Sequence, residues 1–176
     1  MFQESLKQVS NEYVTDEMKK QYLAESNFLI AYYHFLSMRS YGPTMIIRSV
    51  IDLETPISGF PERSSIDEVV AFINEKLDEA MSEGGLPTTW SGKDYGRATR
   101  LAALALKSRV YLYAASPLYN GNTEMYADFR SPLDGRQLIA QEKSQAKWEI
   151  SATQQSNAIM KWKKLNSISN QRCGCR

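Results

Sequence analysis

The chain has 176 residues, of which 43% are hydrophobic and 23% charged, and this composition indicates one globular domain rather than a disordered segment. The formal net charge of +1 argues against the basic surplus of a nucleic-acid-binding protein, so no nucleic-acid partner is expected. Cys173 and Cys175 are separated by one residue, and two cysteines are too few for a disulfide framework or a structural zinc site.

The first long helix is predicted over residues 16–40, after a polar stretch that allows one short helix. Thr15 or Asp16 caps it, and Gly42-Pro43 ends it. Its buried face is predicted from apolar side chains at alternating spacings of four and three: Ala24, Phe28, Ala31, Phe35 and Met38. Further apolar residues widen this face, namely Leu29, Tyr32, Tyr33 and Leu36. Because little polar surface remains, we expect this helix to be sandwiched between neighbours.

The second helix is predicted over residues 66–82, after a connection of about twenty residues at 44–63, which is long for a compact domain. Ser65 and Glu68 fit a capping box at its start. Its core face is read from the apolar positions Ile66, Val69, Val70, Ile73, Leu77 and Ala80. The opposite face is acidic and is expected to be solvated.

The central helix is predicted within the stretch Gly96 to Asn120, with the sequence GRATRLAALALKSRVYLYAASPLYN. We expect the other helices to pack against it. A face is predicted from residues at alternating spacings of four and three: Leu101, Ala105, Ser108, Leu112 and Ala115. Small side chains should permit close approach of neighbouring helices, and these are Ala98, Ala102, Ala103 and Ala105.

A fourth helix is predicted from roughly Ser144 to Leu165, and no sheet-forming alternation is evident. The fold class is therefore all-α, with about four main helices in two tetratricopeptide-like pairs and long irregular loops. The expected pairs are 16–40 with 66–82 and 98–116 with 145–163. Residues 1–165 are expected to form one domain, and residues 166–176 a tail outside the core.

Three segments carry a family resemblance: LAESNFLIAYYHFLSMRSYGPT, ERSSIDEVVAFINEKLDEAM and the Gly96–Asn122 segment. They resemble the SusD/RagB family. The first is similar to the family's helix followed by Tyr-Gly, and the second to its next helix. GRATRLAALALKSRVYLYAASPLYNGN resembles its most recognisable segment. The three segments follow the family's order and span Tyr22 to Asn122, and the pair Lys147-Trp148 fits the start of the following helix.

The resemblance implies a helical scaffold of tetratricopeptide-like pairs in a surface-exposed lipoprotein of the outer membrane. It also implies a non-enzymatic role, in which the protein binds an oligosaccharide or another nutrient as partner of a TonB-dependent transporter. The chain lacks the family's lipoprotein signal peptide and acylated cysteine, is shorter than a complete member, and ends in a sequence unlike the family. We therefore expect an internal piece of a SusD-like protein.

Candidate ligand-binding residues are the loop-associated aromatics Trp90, Tyr95 and Tyr41, because flat rings suit the apolar C–H faces of sugars. Trp90 has a second interpretation, as a residue that fixes its loop to the scaffold. No catalytic residue, metal ligand or cofactor is assigned, and His34 is expected to be a structural or surface residue because no partner lies at a motif spacing. A helical protein-interaction scaffold that binds no glycan is the alternative function.

Overall fold

The structure is a computed structural model that describes residues 2–9 and 12–173. The short helix α1 (Phe2–Gln8) precedes the long helix α2 (Asp16–Tyr41). Four further helices follow: α3 (Ile66–Ala80), α4 (Arg100–Ala115), α5 (Thr123–Tyr126) and α6 (Gln145–Cys173). The described residues contain isolated β-bridges but no strand, so the predicted all-α fold is confirmed.

The helices form the two predicted pairs. α2 packs chiefly on α3, and α4 packs chiefly on α6. α4 also contacts α3 and α2, which joins the pairs into one bundle. Just after α4, the Tyr119 hydroxyl donates a hydrogen bond to the carbonyl oxygen of Met38 in the last turn of α2, at 3.1 Å. Burial raises the pKa of Tyr119, which keeps this phenol protonated and able to donate. α4 is therefore central, as its sequence indicated.

Local signals placed the helix starts correctly. The Thr15 side chain accepts from the backbone N–H of Met18, and α2 ends at Gly42, whose φ of 72° favours glycine. The predicted end of α6 was wrong, since the helix continues to Cys173 instead of stopping near Leu165. The eight residues after Leu165 contain no glycine or proline that would stop a helix. The last three residues of the predicted tail lie outside the described residues.

Two predicted helix faces differ from the structure. α2 buries Ala24, Ala31, Phe35 and Met38, but its opposite side is not sandwiched, since Leu29 and Tyr33 are exposed. α4 buries Ala115 of the predicted face, but its other buried residues were not on that face: Ala103, Leu104, Leu106, Val110 and Ala114. Ala105 and Leu112 face outward instead. An all-round apolar helix offers several possible stripes, and the positions of α3 and α6 select the one that is buried.

The α3 face is buried at every predicted position, and its capping box is formed. The Ser65 side chain accepts from the Glu68 N–H at 3.3 Å, and the Glu68 carboxylate accepts from the Ser65 N–H at 2.7 Å. Replacing Ser65 with alanine should lower the free energy of unfolding by about 1 kcal/mol, because one helix N–H loses its acceptor. Urea denaturation would measure this change. Ser64→Ala is the matched control, and an equal loss there would contradict the capping argument.

Stability at α3 should also depend on pH. The hydrogen bonds from Ser65 lower the pKa of Glu68, because they favour the charged carboxylate. A pKa that is lower in the folded chain means that the stabilisation is complete above the unfolded-state value. It is lost as the pH falls through the folded-state value. The Ser65→Ala difference in unfolding free energy should therefore shrink in acid.

Candidate ligand-binding surfaces

Trp90 lies in the loop between α3 and α4 and is held there by two contacts. Its indole Nε1 donates a hydrogen bond to the carbonyl oxygen of Ala98 at 2.7 Å. The guanidinium carbon of Arg97 lies 4.1 Å from the centre of the indole ring, within the range of a cation–π contact. These contacts fit a residue that fixes its loop to the scaffold. A stacking ligand would have to use the ring face opposite Arg97.

Arg97 joins this loop to α2. Its Nε and Nη2 atoms bind the two carboxylate oxygens of Glu25 at 2.8 and 3.1 Å, and its Nη1 binds Asp94 at 3.0 Å. The hydrogen bonds to Glu25 raise the pKa of Arg97 above its ordinary value. The guanidinium also lies over the Tyr22 ring at 5.5 Å. No local sequence pattern indicates this cluster, since Arg97 and Glu25 are separated by 72 positions.

The three aromatic candidates do not meet at one site. Tyr95 is 87% exposed in the same loop as Trp90, and Arg97 of this loop lies over the Tyr22 ring. Tyr41 is 76% exposed and ends α2. A helix rises about 1.5 Å per residue, so Tyr41 lies about 28 Å along α2 from Tyr22. The structure thus separates a Trp90–Tyr95 surface from a Tyr41 surface at the opposite end.

The Tyr41 end of the bundle contains a cavity of about 320 Å³, which the sequence did not reveal. Two segments enclose it: residues 62–63, at the end of the long connection, and residues 129–138, between α5 and α6. Its apolar wall is formed by Phe129, Pro132, Leu133 and Leu138. Tyr41 is near in the chain, because Met45, four positions later, forms a β-bridge with Arg63.

Hydrogen bonds fix the two segments against each other. The Ser131 hydroxyl, which is buried, donates to the Glu62 carboxylate at 3.0 Å. A guanidinium nitrogen of Arg136 donates to the carbonyl oxygen of Arg63 at 3.1 Å. The Ile66 N–H donates to the carbonyl oxygen of Leu138 at 3.0 Å. The cavity walls are therefore held in place without a ligand.

His34 is engaged in packing and backbone contacts. Its Nδ1 lies 2.8 Å from the carbonyl oxygen of Ile30, and its Nε2 accepts from the Ile47 N–H at 3.4 Å. Its ring meets Phe72 edge-on, with 4.8 Å between the ring centres. The histidine thus links the connection after α2 to the α2–α3 pair, which is a structural role.

Within residues 2–9 and 12–173, no group of three or more His, Cys, Asp or Glu side chains is placed to hold a metal ion. In the same residues, no helix has both the length and the apolarity required to cross a membrane.

The chain is similar to several solved structures. The protein designated BT4246 is 35% identical over 90% of this chain, with a TM-score of 0.80, and the match covers 27% of BT4246. A SusD-like protein from Bacteroides fragilis is 35% identical over 57% of this chain and 19% of its own, with a TM-score of 0.51. Surface glycan-binding protein A from Bacteroides fluxus is 32% identical over 65% of this chain and 23% of its own, also with a TM-score of 0.51.

No curated protein matches the chain at a significant level. Residues 1–112 match the model of a SusD-like family that is described as starch-binding and associating with the outer membrane. The chain spans about a quarter of the length of the solved structures that it resembles. The family match covers most of the chain, and the BT4246 match covers 90% of it. The chain therefore belongs to the SusD/RagB family.

Proposed function

We propose that this chain is part of a non-enzymatic glycan-binding protein that captures oligosaccharides at the outer membrane. The observation that carries the proposal is the family match over residues 1–112. The similarity to a surface glycan-binding protein supports the same ligand class. Ligand selection would then depend on contacts with exposed side chains rather than on bond cleavage.

The exposed aromatics supply the contacts that such binding needs. Tyr41 and Tyr95 each present most of their ring to solvent, and a pyranose ring has an apolar C–H face that stacks on such a surface. Trp90 is the weaker candidate, because Arg97 occupies one face of its indole. Tyr41 and Tyr95 lie at opposite ends of α2, so one short oligosaccharide would engage one of the two surfaces.

The proposed setting follows the family resemblance. The protein that contains this chain would be a surface-exposed lipoprotein, and its partner would be a TonB-dependent outer-membrane transporter. Capture by the binding protein would raise the local concentration of the oligosaccharide at the transporter entrance. The two proteins would then function as one uptake unit, with the oligosaccharide as cargo.

Titration calorimetry of this chain with neutral and acidic oligosaccharides tests the proposal. If either aromatic surface carries binding, Tyr41→Ala or Tyr95→Ala should weaken it by about threefold to tenfold through lost stacking. Tyr33→Ala is the matched control, because Tyr33 is 64% exposed and lies on α2 between the two ends that carry these surfaces. Failure of every oligosaccharide to bind would refute glycan capture by this chain.

A helical protein-interaction scaffold is the second candidate function, and one observation favours it. Large apolar side chains are exposed on α2 and α4, namely Leu29, Tyr33 and Leu112. Exposed apolar side chains of this size suit contact with another protein surface. Tight binding to the transporter, together with no affinity for any oligosaccharide, would favour this second function over the first.

A further inference from the structure

We propose that the cavity between residues 62–63 and 129–138 binds an acidic sugar, whose carboxylate pairs with Arg63 and whose ring lies on the apolar wall. This inference rests on the proposed glycan binding and adds a location and a ligand charge to it. It places the site at the Tyr41 end of the bundle. Three features of the cavity carry it: an uncommitted cation, an apolar wall and fixed geometry.

The uncommitted cation is Arg63. Its guanidinium makes no hydrogen bond or ion pair within the described part of the chain, although its backbone is fixed by Met45 and Arg136. Arg130, also at the cavity, donates only to the carbonyl oxygen of Gly135, at 3.2 Å. Both guanidinium groups therefore lack a carboxylate partner. A planar guanidinium binds a carboxylate through two parallel hydrogen bonds, so a carboxylate-bearing ligand suits this cavity.

The other charged side chains near the cavity already have partners. Arg136 forms ion pairs with Glu68 at 3.1 Å and with Asp134 at 3.2 Å. Unlike the Arg63 guanidinium, its guanidinium is therefore not free to bind a ligand carboxylate. Glu62 is the one carboxylate in the cavity lining, and it accepts the Ser131 hydroxyl. The cavity lining thus has two positive side chains, Arg63 and Arg130, and one negative side chain, Glu62. This arrangement favours a single negative charge and offers a carboxylate acceptor to ligand hydroxyls.

The apolar wall suits the ring of a sugar. Leu133 is 74% exposed at the cavity, while Leu138 is buried beneath it. Phe129 is half-buried and packs on Tyr126 with 5.8 Å between ring centres, which fixes its orientation. A pyranose has an apolar C–H face, and its removal from water against this wall adds to affinity. A small inorganic anion could use the arginines but not the wall.

The cavity is also preorganised. The Ser131–Glu62 and Arg136–Arg63 hydrogen bonds already join the two segments across the cavity. Within residues 129–138, the Ser131 N–H donates to the Arg136 carbonyl oxygen at 2.9 Å, and the Leu138 N–H to that of Phe129 at 3.2 Å. Binding would therefore require little ordering of the backbone, and this reduces its entropic cost.

Calorimetry with a trimer of galacturonic acid and a neutral trimer of galactose tests the proposal. The chain should bind the acidic trimer at least tenfold more tightly. Arg63→Gln should weaken acidic binding by about tenfold to a hundredfold, because it removes charge-assisted hydrogen bonds. It should weaken binding of the neutral trimer much less, because that ligand has no carboxylate to pair with the guanidinium. Arg63→Lys keeps the charge but not the planar fork, so it should retain part of the affinity.

Arg109→Gln is the matched control, since Arg109 is exposed on α4 and does not line this cavity. Arg63→Gln should keep the unfolding midpoint, because the guanidinium has no partner to lose. Equal binding of both trimers, or unchanged acidic binding in Arg63→Gln, would overturn the acidic-sugar site while leaving glycan capture intact. Failure of both trimers and of all other oligosaccharides would refute glycan capture itself. Binding of a peptide carboxylate that is lost in Arg63→Gln, without sugar binding, would replace the sugar by a peptide.

Discussion

Replacement of Phe35 with alanine is expected to lower the free energy of unfolding by about 3–5 kcal/mol. Phe35 is 1% exposed on the buried face of α2 and belongs to the main core cluster. Its ring meets Tyr113 of α4 edge-on at 5.3 Å, so it contacts the second helix pair as well as the first. Truncation removes buried apolar surface and leaves a cavity between the pairs. Thermal unfolding followed by circular dichroism should show a midpoint lower by about 6–20 °C.

The matched control for Phe35→Ala is Tyr33→Ala on the same helix. Tyr33 is 64% exposed, so its removal creates no cavity and should change stability by no more than about 0.5 kcal/mol. Helix propensity is affected similarly in both variants, since each gains alanine. A loss at Tyr33 as large as that at Phe35 would contradict the assignment of the buried face of α2.

The second large effect is expected at Ala103 of α4. Its side chain is fully buried and belongs to the main core cluster. Ala103→Leu adds three carbon atoms to a side chain that has no exposed surface, so neighbouring residues must move to make room. The expected loss is about 1–3 kcal/mol, from strained rotamers and backbone shifts. Urea titration would measure this loss.

The adjacent residue provides a control for Ala103→Leu. Ala102 carries the same side chain on the same helix but is exposed. Ala102→Leu should therefore stay within about 0.5 kcal/mol of the original chain. If the two leucine variants were equally stable, close approach of the helices at Ala103 would not limit packing.

Helix starts could be read from sequence because their determinants are local. The Thr15 cap and the Ser65–Glu68 capping box each involve residues three positions apart, and both are formed. The α3 face was predicted correctly for the same reason, since its apolar positions form a single stripe beside an acidic face. The helix pairs followed from the lengths and order of these segments.

The buried faces of α2 and α4 could not be read in the same way. Both helices carry apolar residues on several sides, so periodicity alone allowed more than one stripe. In α4 the predicted stripe is buried at Ala115 but exposed at Ala105 and Leu112, while Leu106 and Val110, which lie outside it, are buried. The choice depends on where α3 and α6 lie, and that is information about distant parts of the chain.

The candidate ligand-binding surfaces were also predicted only in part from the sequence. Trp90, Tyr95 and Tyr41 were identified by residue type and their place in or beside loops. Their separation along α2, and the occupation of one Trp90 face by Arg97, required the structure. The cavity beside Arg63 is lined by two segments almost seventy positions apart, and no local pattern in either segment indicated it.

The sequence by itself determined the all-α class, the starts of the main helices and the family resemblance, because each depends on residues that are close together in the chain. The tertiary structure decided which helix faces are buried and which side chains share a site. Those outcomes arise from long-range packing and hydrogen bonds, such as Arg97 with Glu25 and Ser131 with Glu62. A contact between distant segments leaves no periodicity in either one, so it becomes visible only when the helices are placed.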